Sequence, residues 1–124
     1  MIDFQNGQFF KLKKGDINDV KDLVEPMLVD GEYIFATFQS IRDRVVFTNK
    51  RIIAINVQGI TGKKKDFTSL PYSRIQAFSV ETAGTFDLDC ELELYFSGLG
   101  KVKFEFVSGF DIVSFNKILS SYIL

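Results

Sequence analysis

The chain has no histidine and no tryptophan, one cysteine and two prolines among 124 residues. Histidine is the commonest metal ligand and the commonest general base near neutral pH. Its absence removes Ser-His-Asp and Cys-His arrangements and most zinc sites. No catalytic residue, metal ligand or cofactor is therefore assigned, and the expectation is a protein that is not an enzyme. A lone Cys90 cannot close an internal disulfide, so a reducing, cytoplasmic setting is expected. No apolar run approaches the roughly 18–20 residues of a membrane span, and the first residues carry no signal-peptide pattern. Fifteen basic residues against sixteen acidic ones leave no excess of positive charge, which argues against nucleic acid as a partner.

What remains is a strongly apolar chain, with 46% hydrophobic residues and fourteen phenylalanines. That is enough for one domain with a single core. Residues 1–15 read as an N-terminal extension. Residues 16–30 read as helical: Ile17, Val20, Val24, Met27 and Leu28 recur at helical spacing behind a capping Asp16. Pro26 should break or kink that helix. From residue 32 to 107 the period becomes two. Glu32–Ile41 is a strand, and "RVVFTNKRIIAINV" is a hairpin turning at Thr48–Arg51. After a turn at Pro71, Ile75–Val80 is a further strand.

The clearest alternation is "DLDCELELYF", with Leu88, Cys90, Leu92, Leu94 and Phe96 facing inward. Its partner is "KVKFEFV". A Gly98–Gly100 loop would pair Phe96 with Val102, which keeps both inner faces on one side. Residues 109–123 form an amphipathic helix, with Ser108 and Asp111 spaced as a capping box. The sum is a mainly β domain of about seven antiparallel strands with a helix at each end.

Two stretches look like chemistry. "GITGKKKDF", Gly59–Phe67, has the glycines and lysines of a phosphate-binding loop. A P-loop, however, places Ser or Thr after its lysine and a helix behind it. Here Lys64 occupies that position and strands flank the loop. Lys63, Lys64 and Lys65 remain candidate contacts for an anionic lipid or another anionic ligand. The alternative is that they keep an exposed strand edge from pairing. "DLDCELE" offers four carboxylates, but Leu92 stands where a calcium loop needs glycine.

Two features point to self-association. The Val45–Val57 hairpin is apolar on both faces, with Val45, Phe47, Ile53 and Ile55 read on one and Val46, Ile52 and Ala54 on the other. The second face needs a cover, either the N-terminal helix or another subunit. Charge is also segregated. Residues 79–96 hold five acids and no base, and residues 42–51 hold four bases and one acid. Asp87, Asp89, Glu91 and Glu93 are candidates for one side of a homo-oligomer interface. Arg42, Arg44, Val46, Lys50 and Arg51 are candidates for the other.

The phrases "FTNKRI", "GITGKK", "SLPYSRI", "FSVETAG" and "FDLDCELEL", in that order, resemble the bacterial pleckstrin-homology-like (PH-like) domains. The likeness runs from about Asp16 to the C-terminus. It implies a PH-like barrel of two packed sheets closed by a C-terminal helix, and a non-enzymatic protein that assembles into a homo-oligomeric ring. It also implies that Thr48–Arg51 is a structural turn. Eukaryotic PH domains bind phosphoinositides through a basic first strand–loop–strand. Here the matching region, Tyr33–Phe47, offers only Arg42 and Arg44 beside Asp43.

Overall fold

A computed structural model describes residues 1–5 and 9–124, so part of the N-terminal extension lies outside the described residues. In chain order the elements are β1 (Phe9–Lys14), α1 (Ile17–Val24), β2 (Ile34–Gln39), β3 (Arg44–Thr48), β4 (Arg51–Gln58), β5 (Lys64–Pro71), β6 (Ile75–Glu81), β7 (Cys90–Phe96), β8 (Gly100–Phe106) and α2 (Ile112–Ile123). Two compact units emerge. One comprises Met1–Ile2 with Lys14–Pro71, the other Asp3–Lys13 with Tyr72–Leu124. The protein is mainly β, with eight strands among the described residues where about seven are expected. Periodicity had not resolved β1 and β5.

In the first unit, β2 to β5 form an antiparallel sheet in the order β5–β4–β3–β2. The β3–β4 connection is tight, so Val46 lies opposite Ile53, Val45 opposite Ala54 and Phe47 opposite Ile52. Paired numbers sum to an odd value, and an even residue on β3 therefore shares a face with odd residues on β4. This corrects the expected grouping. Val46, Ile53 and Ile55 form one face, and Val45, Phe47, Ile52 and Ala54 the other.

Helix α1 covers the first of these faces. The Asp16 carboxylate accepts from the Asn18 N–H at 2.9 Å and starts the helix. Val20 and Val24, four apart, then pack on Val46, Ile53 and Ile55, with all five buried. Full burial is worth roughly 1.5–3 kcal/mol per side chain of this size. The helix ends at Val24, earlier than residue 30, because Pro26 turns the chain into a 3₁₀ turn, Glu25–Met27. The second apolar face is thus covered within the chain. On the opposite face, Phe38 meets Phe47 edge to face at 5.6 Å. Strand β5 begins at Lys64, inside the stretch read as a loop, and Thr68 and Leu70 are its buried residues.

In the second unit the order is β1–β8–β7–β6. β6, β7 and β8 are antiparallel, but β1 runs parallel to β8, contrary to an all-antiparallel meander. Phe9 pairs with Phe104 and Leu12 with Phe106, three residues apart on β1 and two on β8. Lys11, at φ +52°, absorbs the extra residue as a bulge. Both buried residues of β1 therefore face inward at a spacing of three, which conceals the strand from a period-two reading.

Phe96 pairs with Gly100 and Leu94 with Val102. The hairpin is one pair tighter than expected, with Ser97–Leu99 as its loop. The inner faces still match because the pairing sum stays even. Cys90, Leu92, Leu94, Phe96, Val102, Phe104 and Phe106 are all buried. Leu88, expected in this row, is 56% exposed. The chain leaves the strand before Cys90, where the Asp89 N–H donates to the Asp87 carboxylate at 3.1 Å.

Helix α2 is capped by Asp111 rather than Ser108. Its carboxylate accepts from the Ser114 N–H at 3.1 Å and from the Ser114 hydroxyl at 2.7 Å. The N–H bond holds the Asp111 carboxyl below its usual range. Ile112, Phe115 and Leu119 are buried, and Phe110 stacks between Phe106 at 4.9 Å and Phe115 at 5.4 Å.

Candidate functional site

The lysine loop is the tip of the β4–β5 hairpin. Gly59 (φ +75°) and Gly62 (φ +69°) take the left-handed conformations that turn it. Gln58 pairs with Lys64 and Val57 with Lys65, so a strand follows the lysines and no helix N-terminus faces them. A phosphate cradle of the P-loop kind is excluded. Lys63, Lys64 and Lys65 are exposed. Lys65 Nζ donates to the Gly62 carbonyl at 3.1 Å. None of the ion pairs among the described residues involves these three.

Neighbouring acids are engaged elsewhere. Asp66 accepts the N-terminal amine at 2.8 Å and the Thr68 hydroxyl at 2.6 Å, and the amine bond foremost holds its carboxyl below the usual range. Asp43 accepts from Asn56 at 2.9 Å.

Sequence reasoning did not find what stands beside these lysines. The Arg42 guanidinium donates to the Gly59 carbonyl, tying the β2–β3 loop to the β4–β5 loop. The tips of these loops, Ile41 and Ile60, are fully exposed. Each is a single apolar residue among turn formers, "SIRD" and "GITG", which is the only signal the sequence offers. This end of the first unit therefore carries two bare isoleucines and four bases.

The other basic candidates separate. Arg44 donates to Gln39 at 2.8 Å, and Lys50 is exposed in the β3–β4 turn. Arg51 is a structural clasp. Its Nε and one terminal nitrogen grip Glu32 at 2.9 and 3.0 Å, and the same nitrogen reaches the Met27 carbonyl at 2.9 Å. The Glu32 side chain is 0% exposed and that of Arg51 21%. Thr48 donates to the same carboxylate at 2.7 Å, and the Val29 N–H does so at 3.0 Å. Burial pushes the Glu32 carboxyl up, but Arg51, Thr48 and Val29 together outweigh it and hold it below the usual range. Thr48–Arg51 is thus a structural turn. Val46 lies fully buried against α1 and presents nothing to a partner.

The four acidic candidates fall on or beside β7 and meet lysines of their own unit. Asp89 is 2.5 Å from Lys11, Glu91 3.4 Å from Lys103, and Glu93 3.7 Å from both Lys101 and Lys103. The Lys11 hydrogen bond lowers the Asp89 pKa and raises that of Lys11. Glu81, Glu91 and Glu105 lie directly opposite one another in one row across β6, β7 and β8, an arrangement that repels. Lys103 meets Glu91 and Lys11 stands 3.8 Å from Glu105, so within this row the ion pairs among the described residues leave out Glu81. Beyond them the β6–β7 loop exposes Phe86 fully, beside Asp87.

The first unit also holds an open depression of about 590 Å³ lined by Lys14, Gly15, Asp16, Ile17, Phe35, Ala36 and Thr37. Its ionisable groups are Lys14 and Asp16, and the Asp16 carboxylate caps α1. Among the described residues no group of His, Cys, Asp and Glu could hold a metal ion, and no helix is long and apolar enough to cross a membrane.

A family model described as a bacterial PH domain matches residues 3–123. The uncharacterised Bacillus subtilis (strain 168) protein YjqA is 45% identical over 104 residues, covering 82% of this chain and 83% of its own. YozO from the same organism, also uncharacterised, is 34% identical, covering 85% and 90%. A DUF1696 family protein with a pleckstrin-homology domain from Shewanella loihica PV-4 superposes with a TM-score of 0.80 at 39% identity, covering 93% of this chain and 99% of that one. A pleckstrin homology domain from Shewanella amazonensis SB2B gives a TM-score of 0.67, again at 39% identity, covering 96% and 93%.

Proposed function

Since the chain belongs to the bacterial PH domain family, we propose that it is a non-catalytic, cytoplasmic interaction domain whose copies associate with one another. One observation carries this reading: a near-neutral chain holds two patches of opposite sign, each only partly neutralised from within. The basic patch is Arg42 with Lys63, Lys64 and Lys65, and Arg44 adjoins it at the start of β3; Lys50 lies in the turn at the opposite end of the β3–β4 hairpin. The acidic patch is the Glu81–Glu91–Glu105 row with Asp87, Asp89 and Glu93. A contact between unlike patches is heterologous and closes into a ring where the rotation permits. The absence of histidine supports a non-catalytic role, as does the pairing of Glu32, Asp89, Glu91 and Glu93 with lysine or arginine. Light scattering across micromolar concentrations tests the reading. A mass of several 14.1 kDa chains is expected, and a mass of one chain throughout would sink it.

A second reading has its own support. Ile41 and Ile60, bare and flanked by four bases, suit a peripheral membrane module that dips apolar tips among anionic head groups. Each lysine near such a surface contributes about 1 kcal/mol. Sedimentation with phosphatidylserine vesicles, and with neutral vesicles as control, tests it. Changing Lys63, Lys64 and Lys65 to Ser would abolish binding if this reading is right, with folding nearly unaltered.

A further inference from the structure

We propose that copies of this chain join through their loop ends: the β6–β7 loop of one copy, tipped by Phe86, seats on the Ile41 and Ile60 tips of the next. The inference rests on the self-association reading and names its contact.

Both ends are built in advance of any partner. In the β6–β7 loop, the Gly84 N–H donates to the Asp87 carbonyl at 2.7 Å and the Asp89 N–H to the Asp87 carboxylate at 3.1 Å. Lys11 pins Asp89 at 2.5 Å. Phe86 is therefore held out by an ordered turn, fully exposed, with Leu88 half exposed behind it. At the other end, Arg42 fastens the two isoleucine loops together through Gly59. Little ordering is left for association to pay for.

Charge selects the pairing. Phe86 stands among Glu81 and Asp87, whereas Ile41 and Ile60 stand among Arg42, Lys63, Lys64 and Lys65. Two acidic ends repel, as do two basic ends; only unlike ends attract. An anionic membrane would engage the basic end and leave Phe86 without a role. A second copy supplies the complement of both. Because loop tips bury little area, the contact should be concentration-dependent, and it should weaken as salt shortens the screening length to about 3 Å at 1 M.

The test uses two charge-reversed variants of the full chain. One carries Lys63→Glu and Lys64→Glu; the other carries Glu81→Lys and Phe86→Lys, which leaves the turn bonds of Asp87 in place. All these side chains are exposed, and circular dichroism would confirm that both variants fold. Each variant alone should fall to the mass of one chain at concentrations where the native protein is assembled. An equimolar mixture should regain a higher mass, since the native acidic loop of one variant meets the native basic end of the other. Assembly that survives in both variants overturns this contact and leaves self-association standing. Dissociation of both without recovery in the mixture also overturns it. A native protein that is one chain at every concentration overturns both. If that protein binds phosphatidylserine vesicles, losing them in the lysine variant but not in the Phe86 variant, the membrane is the partner instead.

Discussion

The two units each build a sheet of four strands, yet they treat the second face of that sheet in opposite ways. In the first unit, Val46, Ile53 and Ile55 form an apolar second face under α1. In the second, the corresponding face of β7 and β8 is a lattice of Glu91, Glu93, Lys101 and Lys103 open to water. A run apolar on both faces has to find a cover, and here a helix of eight residues suffices. A run that alternates needs none and leaves its polar face available. The second face of the first unit is thus spent on folding, and that of the second is left to paired charges and water.

The sharpest way to break this contrast is a charge under the helix. Val46→Asp buries an unpaired carboxylate and should cost on the order of 5 kcal/mol, enough to unfold a marginal domain. Urea denaturation would show it; a variant as stable as the native protein would mean that α1 is not docked. Next in size, Leu92→Ala on the inner face of β7 should cost about 3–4 kcal/mol, because it leaves a cavity in a fully buried row.

Removing Arg51 by Arg51→Met leaves the Glu32 carboxylate buried without its cation. A loss of about 3 kcal/mol is expected, at the low end for a broken buried pair because Arg51 is partly exposed. The same pair predicts a pH dependence. The folded Glu32 carboxyl titrates below its ordinary value, so its contribution is complete above about pH 4.3 and is lost as the pH falls through the folded value. Urea melts between about pH 7 and about pH 3.5 should therefore fall more steeply for the native protein than for Glu32→Gln. Parallel curves would refute the linkage.

Smallest of all, Glu93→Ala should change stability by about 0.5 kcal/mol or less, since its lysine partners are solvated. A cost matching that of Leu92→Ala would mean that this face is locked in a contact of its own.

Much of the fold was legible because most elements keep one clean period. β7 shows it best: Leu92 and Leu94 inside, Glu91 and Glu93 outside. Reading failed where one residue breaks the period. Lys11 shifts β1 by a bulge, and the lysines of β5 occupy an edge where no burial marks a strand. The β3–β4 faces were misgrouped because a turn of even length couples odd residues to even ones. For the site, the lysines were legible as an exposed basic run. The exposed Ile41, Ile60 and Phe86 were not, because an apolar residue in a loop declares its exposure only once the backbone is known. Nor could composition tell Arg51, committed to a buried acid, from Arg42, which reaches only a carbonyl.

The single cysteine gives the second unit its own reporter. Cys90 is 3% exposed, its thiol lies 3.9 Å from the Phe110 carbonyl ahead of α2, and burial pushes its pKa up. A thiol so placed is slow to form the reactive thiolate and closed to bulky reagents. It should be alkylated only when β7 separates from the Phe110 segment. The rate of labelling then reports those openings without a probe having to be engineered into the chain.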